Sequence, residues 1–175
     1  MKKLIENFTF KDALELAIQI ELQAKERYEE FSRQIGSQSK GDAGDFFATM
    51  AISESKHAET LINKCIEHFG KLSPEIFIED YYEFSESEAP EFDKAQSFMS
   101  VLSALQVVRE SEIKAYNFYK KMSESSTDSE VKRFFIELME EEDEHRKMVE
   151  DQINKLDESN EPLRDKDDIE EPNGL

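Results

Sequence analysis

Apolar residues recur three and four positions apart along four segments of the chain, and this spacing predicts four amphipathic helices. The first three cover about residues 9–35, 42–69 and 92–122. The fourth begins behind a capping box formed by Thr127 and Glu130, and its apolar stripe continues to Val149. The chain is therefore predicted to be all-α.

Two kinds of connection separate the predicted helices. GSQSKGDAG, at residues 36–44, breaks the pattern only briefly and predicts a short loop between the first two helices. GKLSPEIFIEDYYEFSESEAPEF begins at Gly70, contains Pro74 and Pro90, and predicts a long connection. Residues 157–175 are acidic and poor in large apolar side chains, so we expect a disordered tail after one domain that spans residues 1–156.

Polar side chains interrupt each apolar stripe near its middle. The second and fourth helices carry a glutamate and a histidine three residues apart, whereas the first and third carry one glutamate. A Glu and a His at this spacing lie about 60° apart around a helix, so both can reach one point. These residues are Glu21, Glu54, His57, Glu112, Glu142 and His145.

Taken alone, these positions have alternatives. Glu54 and His57 are equally compatible with a surface pair, and Glu140, Glu141 and Glu144 compete with Glu142. An internal repeat decides between them. A shift of 91 residues places Ala13, Leu14, Glu21, Ala24 and Tyr28 on Ala104, Leu105, Glu112, Ala115 and Tyr119. A shift of 88 residues places Phe46, Phe47, Glu54 and His57 on Phe134, Phe135, Glu142 and His145, and also relates the predicted caps, Ser39 and Asp42, to Thr127 and Glu130.

The repeat and the connections together predict the architecture. Short loops make the helices of each half antiparallel, and the long connection can span the roughly 40 Å of a 28-residue helix. We therefore expect a four-helix bundle of two duplicated antiparallel hairpins joined by one long crossover.

Charge and composition restrict the partners. The 41 acidic and 22 basic side chains give a net charge of -19, which argues against nucleic acid and anionic membrane surfaces. The chain has one cysteine, Cys65, no signal-peptide core near its first residues and no apolar run of the roughly 20 residues that span a bilayer. We expect a cytoplasmic protein.

The buried carboxylates predict a metal site. Burying four carboxylates without counter-charge would cost several kcal/mol per ion, and no set of lysines or arginines occupies the stripes. Two divalent cations would balance the four negative charges while both histidines remain neutral. Carboxylate and imidazole ligands suit iron or manganese, and the absence of thiolates disfavours structural zinc.

The motifs IELQAKERY, SESKH, SEIKAYNFY and EEDEH, in this order over about residues 8–155, resemble those of the rubrerythrin family in the ferritin-like di-iron superfamily. The resemblance implies a ferritin-like bundle with two iron ions, or manganese. It implies that Glu54 and Glu142 bridge the metals, and that Glu21 and Glu112 are terminal ligands together with His57 and His145. Which terminal glutamate shares a metal with which histidine is left open by the sequence.

The function implied by the resemblance is oxidative-stress chemistry: an oxidoreductase, a di-iron peroxidase or ferroxidase, that reduces hydrogen peroxide or dioxygen. Alternatives are a non-catalytic iron-binding or storage protein, a di-iron oxygenase and a manganese catalase. Typical rubrerythrins carry four cysteines in a rubredoxin domain, so this chain would need an external electron-transfer protein. They also carry a further glutamate where this chain has Ala115. The resemblance further implies a homodimer.

Tyr28 and Tyr119 lie two turns beyond Glu21 and Glu112 on the same stripes. They are either aromatic core residues or residues whose hydroxyls hydrogen-bond a ligand carboxylate, with a radical sink as a third role. We favour the hydrogen bond, because ligand carboxylates usually need such support.

Overall fold

The computed structural model describes residues 8–71 and 99–159, which form four α-helices and, within these ranges, no strand. They are α1 (Phe10–Ile35), α2 (Ala43–Phe69), α3 (Val101–Ser125) and α4 (Ser129–Ser159). The predicted all-α fold is confirmed. No helix in these ranges is long and apolar enough to cross a membrane.

Side-chain caps fix where the helices begin. Thr9 and Asp12 form a reciprocal capping box at the start of α1, and the Asp42 carboxylate accepts the Asp45 amide, 2.9 Å away, at the start of α2. Ser100 caps α3 by accepting the Ser103 amide at 3.0 Å. The predicted start of the third helix near residue 92 is therefore wrong, because the helix begins at Val101.

The predicted cap of the fourth helix is also wrong, by one residue. Helix α4 begins at Ser129, and the carboxylate of Asp128 just before it accepts the amides of Glu130 at 2.8 Å and Val131 at 3.0 Å. A carboxylate is the stronger acceptor and also interacts favourably with the positive end of the helix dipole. The caps of α2 and α4 consequently do not follow the 88-residue repeat.

Apolar side chains form two separate core layers. The first layer contains the start of α1, the end of α2, the end of α3 and the start of α4, including Leu14, Cys65, Met122 and Phe135. The second layer contains the opposite ends of the same helices, including Phe31, Phe47, Leu105 and Val149. Thus α2 and α3 start at the same end of the bundle, and the chain must return along its full length between them.

This arrangement confirms the predicted bundle of two antiparallel hairpins with one long crossover. The crossover segment itself, residues 72–98, lies outside the described residues, as do residues 1–7 and 160–175. Helix α4 continues to Ser159 and so includes the first three residues of the predicted tail. The predicted disorder of residues 160–175 lies outside the described residues.

Close backbone approach fixes the turn of the first hairpin. Gly36 ends α1 with φ of 70°, a conformation that favours glycine. Gly44, in the first turn of α2, packs so closely on Gly36 that a Cβ atom there would lie 2.7 Å from the Gly36 carbonyl carbon. The two glycines therefore allow α1 and α2 to pack directly after a short loop.

Candidate metal centre

The six residues predicted from the stripes lie together between the two core layers. Each helix contributes at least one of them, because each sits near the middle of its helix. All four glutamates are buried, with no more than 2% of their surface exposed, whereas the histidine side chains are 32% and 21% exposed. Each histidine lies between the carboxylates and solvent, with its Nδ1 atom directed towards the carboxylates.

Helices α1 and α2 form the first group of ligands. Nδ1 of His57 lies 3.3 Å from Oε2 of Glu54 and 3.6 Å from Oε2 of Glu21. One donor atom from each of these three residues lies within 4.8 Å of the others. The structure therefore brings Glu21 together with His57, a choice that the sequence left open.

Helices α3 and α4 repeat this geometry in the second group. Nδ1 of His145 lies 3.3 Å from Oε2 of Glu142 and 3.7 Å from Oε2 of Glu112, and the three donor atoms again lie within 4.8 Å of one another. Matching distances in the two hairpins show that the sequence duplication is also a duplication of the site.

The two histidines bring the groups face to face. The rings of His57 and His145 stack with centroids 4.7 Å apart and planes only 4° from parallel. The carboxylates of one group also act on those of the other, since Glu142 raises the pKa of Glu21 and Glu54 raises that of Glu112. The groups therefore form one electrostatic unit.

Burial controls the protonation of this unit when it holds no metal. It is the main reason that the pKa of Glu21 rises to about 8, with Glu142 and Glu54 acting in the same direction against the contact with His57. Burial likewise raises the pKa of Glu112 to about 8. Both carboxyl groups are thus predominantly protonated at neutral pH.

The pKa values of the histidines also rise, which keeps these side chains charged, whereas the same change keeps Glu21 and Glu112 neutral. Contacts with Glu21 and Glu54 raise the pKa of His57 to about 10. Burial lowers the pKa of His145, but contacts with Glu112 and Glu142 outweigh it and raise the value to about 11. Near neutral pH the metal-free site therefore holds protons on Glu21 and Glu112 as well as on both histidines.

The donor set fits divalent metal ions. Glu21, Glu54 and Glu112 each bury an Oε2 atom that accepts no hydrogen bond, which is costly unless another partner binds it. Each group presents two carboxylates and one imidazole, which are ligands that iron and manganese accept. The residues present therefore fit a pair of metal ions.

The tyrosines lie in the core on either side of this layer. Tyr28 stacks on Phe47 with centroids 5.9 Å apart, and Tyr119 stacks on Phe135 at 6.2 Å. Both are completely buried among these aromatic side chains. The hydrogen bond from their hydroxyls to ligand carboxylates stays a prediction.

A cavity of about 240 Å³, which we call the access cavity, opens between α2 and α4 onto the site. The sequence did not predict this cavity, because its outer residues lie outside the apolar stripes; they are Thr60, Lys64, Glu137 and Glu141, of which only Glu141 was considered, as a rival of Glu142. Their spacing offers one signal: Glu137 and Glu141 precede His145 at four-residue intervals, which places all three on one side of α4.

Comparison with known proteins agrees with this geometry. A family model described as Rubrerythrin matches residues 12–153 and, in a second match, residues 103–172. The crystal structure of an uncharacterised conserved protein from Magnetospirillum magnetotacticum is similar, with a TM-score of 0.64 and 25% sequence identity over 85% of this chain and 95% of that one. No curated protein matches the chain.

Proposed function

Because this chain belongs to the rubrerythrin family, we propose that it is an oxidoreductase that reduces hydrogen peroxide or dioxygen at a carboxylate-bridged di-iron centre. The observation that carries the proposal is the pair of matching, buried Glu–Glu–His groups around the stacked histidines. A pair of redox-active ions would supply two electrons to an oxygen–oxygen bond.

The side chains divide the work of holding this centre. Glu21 with His57 would hold one ion and Glu112 with His145 the other, while Glu54 and Glu142 would bridge them. The carboxylates supply four negative charges for two divalent ions, and Nδ1 of each histidine gives up its proton on binding. The core layers above and below keep bulk water from the carboxylates.

An external electron-transfer protein would supply the electrons. The 175 residues contain a single cysteine, and Cys65 is fully buried in the first core layer, where burial raises its thiol pKa. It is therefore a poor redox relay. Hydrogen peroxide and dioxygen are small and neutral, and the access cavity is large enough to admit either one.

Ala115 favours a second candidate, an iron-binding or storage protein with ferroxidase activity. Ala115 is completely buried in the first core layer. The family resemblance implies a further glutamate at this position in typical rubrerythrins. Without that carboxylate, the ligand set is limited to six residues. Oxidation of bound iron without repeated turnover would then be the principal reaction.

We also propose that the protein is a cytoplasmic homodimer and that it binds no nucleic acid. The net charge of -19 supports the last point. Ile52, 57% exposed, lines a groove of about 570 Å³ between α1 and α2, and a second copy would cover it. Light scattering of the wild-type protein and of Ile52→Lys should give a dimer and a weakened dimer, and a wild-type monomer would contradict this part.

Anaerobic titration with Fe(II) tests the centre. We expect two ions per chain in the wild type, loss of binding in Glu142→Ala, and no change in Glu144→Ala, an exposed control on the same helix. Repeated peroxide reduction with an added reductant would support the oxidoreductase, whereas a single round of iron oxidation would support storage. Failure of the wild type to bind either Fe(II) or Mn(II) would refute both.

A further inference from the structure

The access cavity has a charged rim, an apolar wall and a carboxylate at its inner end. Lys64, Glu137 and Glu141 are at least partly exposed at the rim, whereas Leu61 and Leu138 are buried along the wall. Glu21 lies at the inner end with 2% of its surface exposed. The cavity thus connects solvent with a residue of the first ligand group.

The rim carries a net negative charge. Nζ of Lys64 lies 3.5 Å from Oε2 of Glu137 and 5.0 Å from the centre of the Phe134 ring. One positive charge therefore faces two carboxylates, those of Glu137 and Glu141. Such a rim attracts cations, whereas Lys64 and, farther in, the positively charged rings of His57 and His145 oppose their entry.

The inner end of the cavity presents a carboxyl oxygen without a hydrogen bond. Oε2 of Glu21 is buried and accepts none, and Nδ1 of His57 lies 3.6 Å away. A buried carboxylate oxygen in this state needs a proton or a cation. This observation is independent of the rim: in the metal-free protein a proton meets this need, and a metal ion that enters the cavity would replace it.

The charged rim is not a by-product of the duplication. A shift of 88 residues relates Glu137 to Thr49, Glu141 to Ser53 and Lys64 to Gln152, all of which are uncharged. The two ligand groups follow the repeat, but the rim does not. The charged residues of the rim therefore lie on only one side of the stacked histidines. This is expected if solvent reaches the site from that side alone, and not if the charges stabilise both hairpins in the same way.

We propose that the access cavity is the route by which divalent metal ions reach both ligand groups, with Glu141 drawing ions to the rim and Lys64 opposing them. The route rests on the proposed function, since it requires that the groups bind metal. Glu141 acts before binding and is not itself a ligand of the loaded site.

The charge part of the route is tested by the rate of Co(II) loading into metal-free full-length protein, followed by the absorbance of bound Co(II) in a stopped-flow instrument. At low ionic strength, Glu141→Gln should load roughly tenfold more slowly than Glu144→Gln, which removes the same charge from the same helix outside the cavity. The difference should shrink at high salt. Lys64→Met keeps the aliphatic packing and should load faster.

The path itself is tested by a plug. Thr60 at the rim and Thr49 on the opposite side of the histidines are both exposed on α2, and each donates a hydrogen bond to the carbonyl four residues earlier, at 2.9 and 3.0 Å. Thr60→Phe should slow loading at low and high salt alike. Thr49→Phe, its matched control, should load at the wild-type rate.

The outcomes separate the route from the function. Equal rates in both matched pairs, with two Co(II) ions bound per chain, would overturn the route alone. An effect of Glu141→Gln without an effect of Thr60→Phe would also overturn it, because the charge would then attract ions to the surface at large. Loss of one bound ion in Glu141→Gln would make Glu141 a ligand and contradict its role. A wild type that binds no metal overturns both proposals.

Discussion

Metal loading should release about four protons per chain at pH 7. Glu21 and Glu112, each with a pKa of about 8, are about nine-tenths protonated at that pH, and His57 and His145, with pKa values of about 10 and 11, are almost fully protonated. The two carboxylic acids and the two imidazolium rings must give up these protons before their atoms can bind two ions.

The same ligands in an exposed site would release far less. With ordinary pKa values of 4.5 and 6.5, the glutamates would already be ionised and each histidine about one-quarter protonated, so loading would release about half a proton in total. The eightfold difference between the two cases comes from burial and from the close contacts between the histidines and the carboxylates. The number of protons released therefore reports on the burial of the ligands and on the contacts between the histidines and the carboxylates.

Calorimetric titration of the metal-free protein with Mn(II), in two buffers of different ionisation enthalpy, gives the number of protons released. A pH indicator in weakly buffered solution provides a second measurement. We expect a value near four at pH 7 and a smaller one at pH 9, where the glutamates have largely ionised. Release of half a proton or less at pH 7, with two ions bound, would refute the protonation described here.

The ligand layer, the turn of the first hairpin and Tyr119 can each be tested directly. The metal-free protein should lose thermal stability from pH 6 to pH 9. The pKa values of Glu21 and Glu112 are raised in the folded state, which therefore holds protons that the unfolded state has lost. The double variant Glu21→Gln, Glu112→Gln should show a flatter dependence of melting temperature on pH. Glu142→Gln should melt at a lower temperature than the metal-free wild type, since it takes away the carboxylate that lies 3.3 Å from the charged His145 ring, and it should also bind less metal in a Mn(II) titration. Gly44→Ala should lower the free energy of unfolding in urea by about 1–3 kcal/mol, because its Cβ meets the Gly36 backbone, and an unchanged midpoint would contradict the packing. Tyr119→Phe should keep the fold but weaken Mn(II) affinity if the hydroxyl supports a ligand, and equal affinity would leave it a core residue only.

The ligand groups were predictable because three constraints act on the same positions. The helical stripe places Glu142 inward and Glu140 and Glu144 elsewhere, and the repeat ties Glu142 to Glu54. Burial then makes unpaired carboxylates costly, which excludes an ordinary packing role. The pairing of terminal glutamates with histidines was not predictable, since it depends on which hairpin partners lie closest in space.

The incorrectly predicted cap of the fourth helix has a local cause. Thr127 and Asp128 are adjacent and both are good capping residues, so the choice depends on backbone dihedral angles that the sequence pattern does not reveal. The access cavity was missed for a different reason. Lys64 and Glu137 come from opposite halves of the chain, and neither position carries the repeat that identified the ligands.

The charge balance explains how the fold can carry four buried carboxylates before any metal arrives. Raised pKa values keep protons on Glu21, Glu112, His57 and His145, and two divalent ions that replace these four protons leave the net charge of the layer unchanged. The core layers on either side therefore face the same net charge in either state. Since those layers contain most of the buried apolar side chains, the fold depends on them and not on the metal, unlike a zinc finger whose folding energy is the metal-binding energy. A site of this kind can lose and regain its ions while the bundle stays folded, and the access cavity then determines how fast it does so.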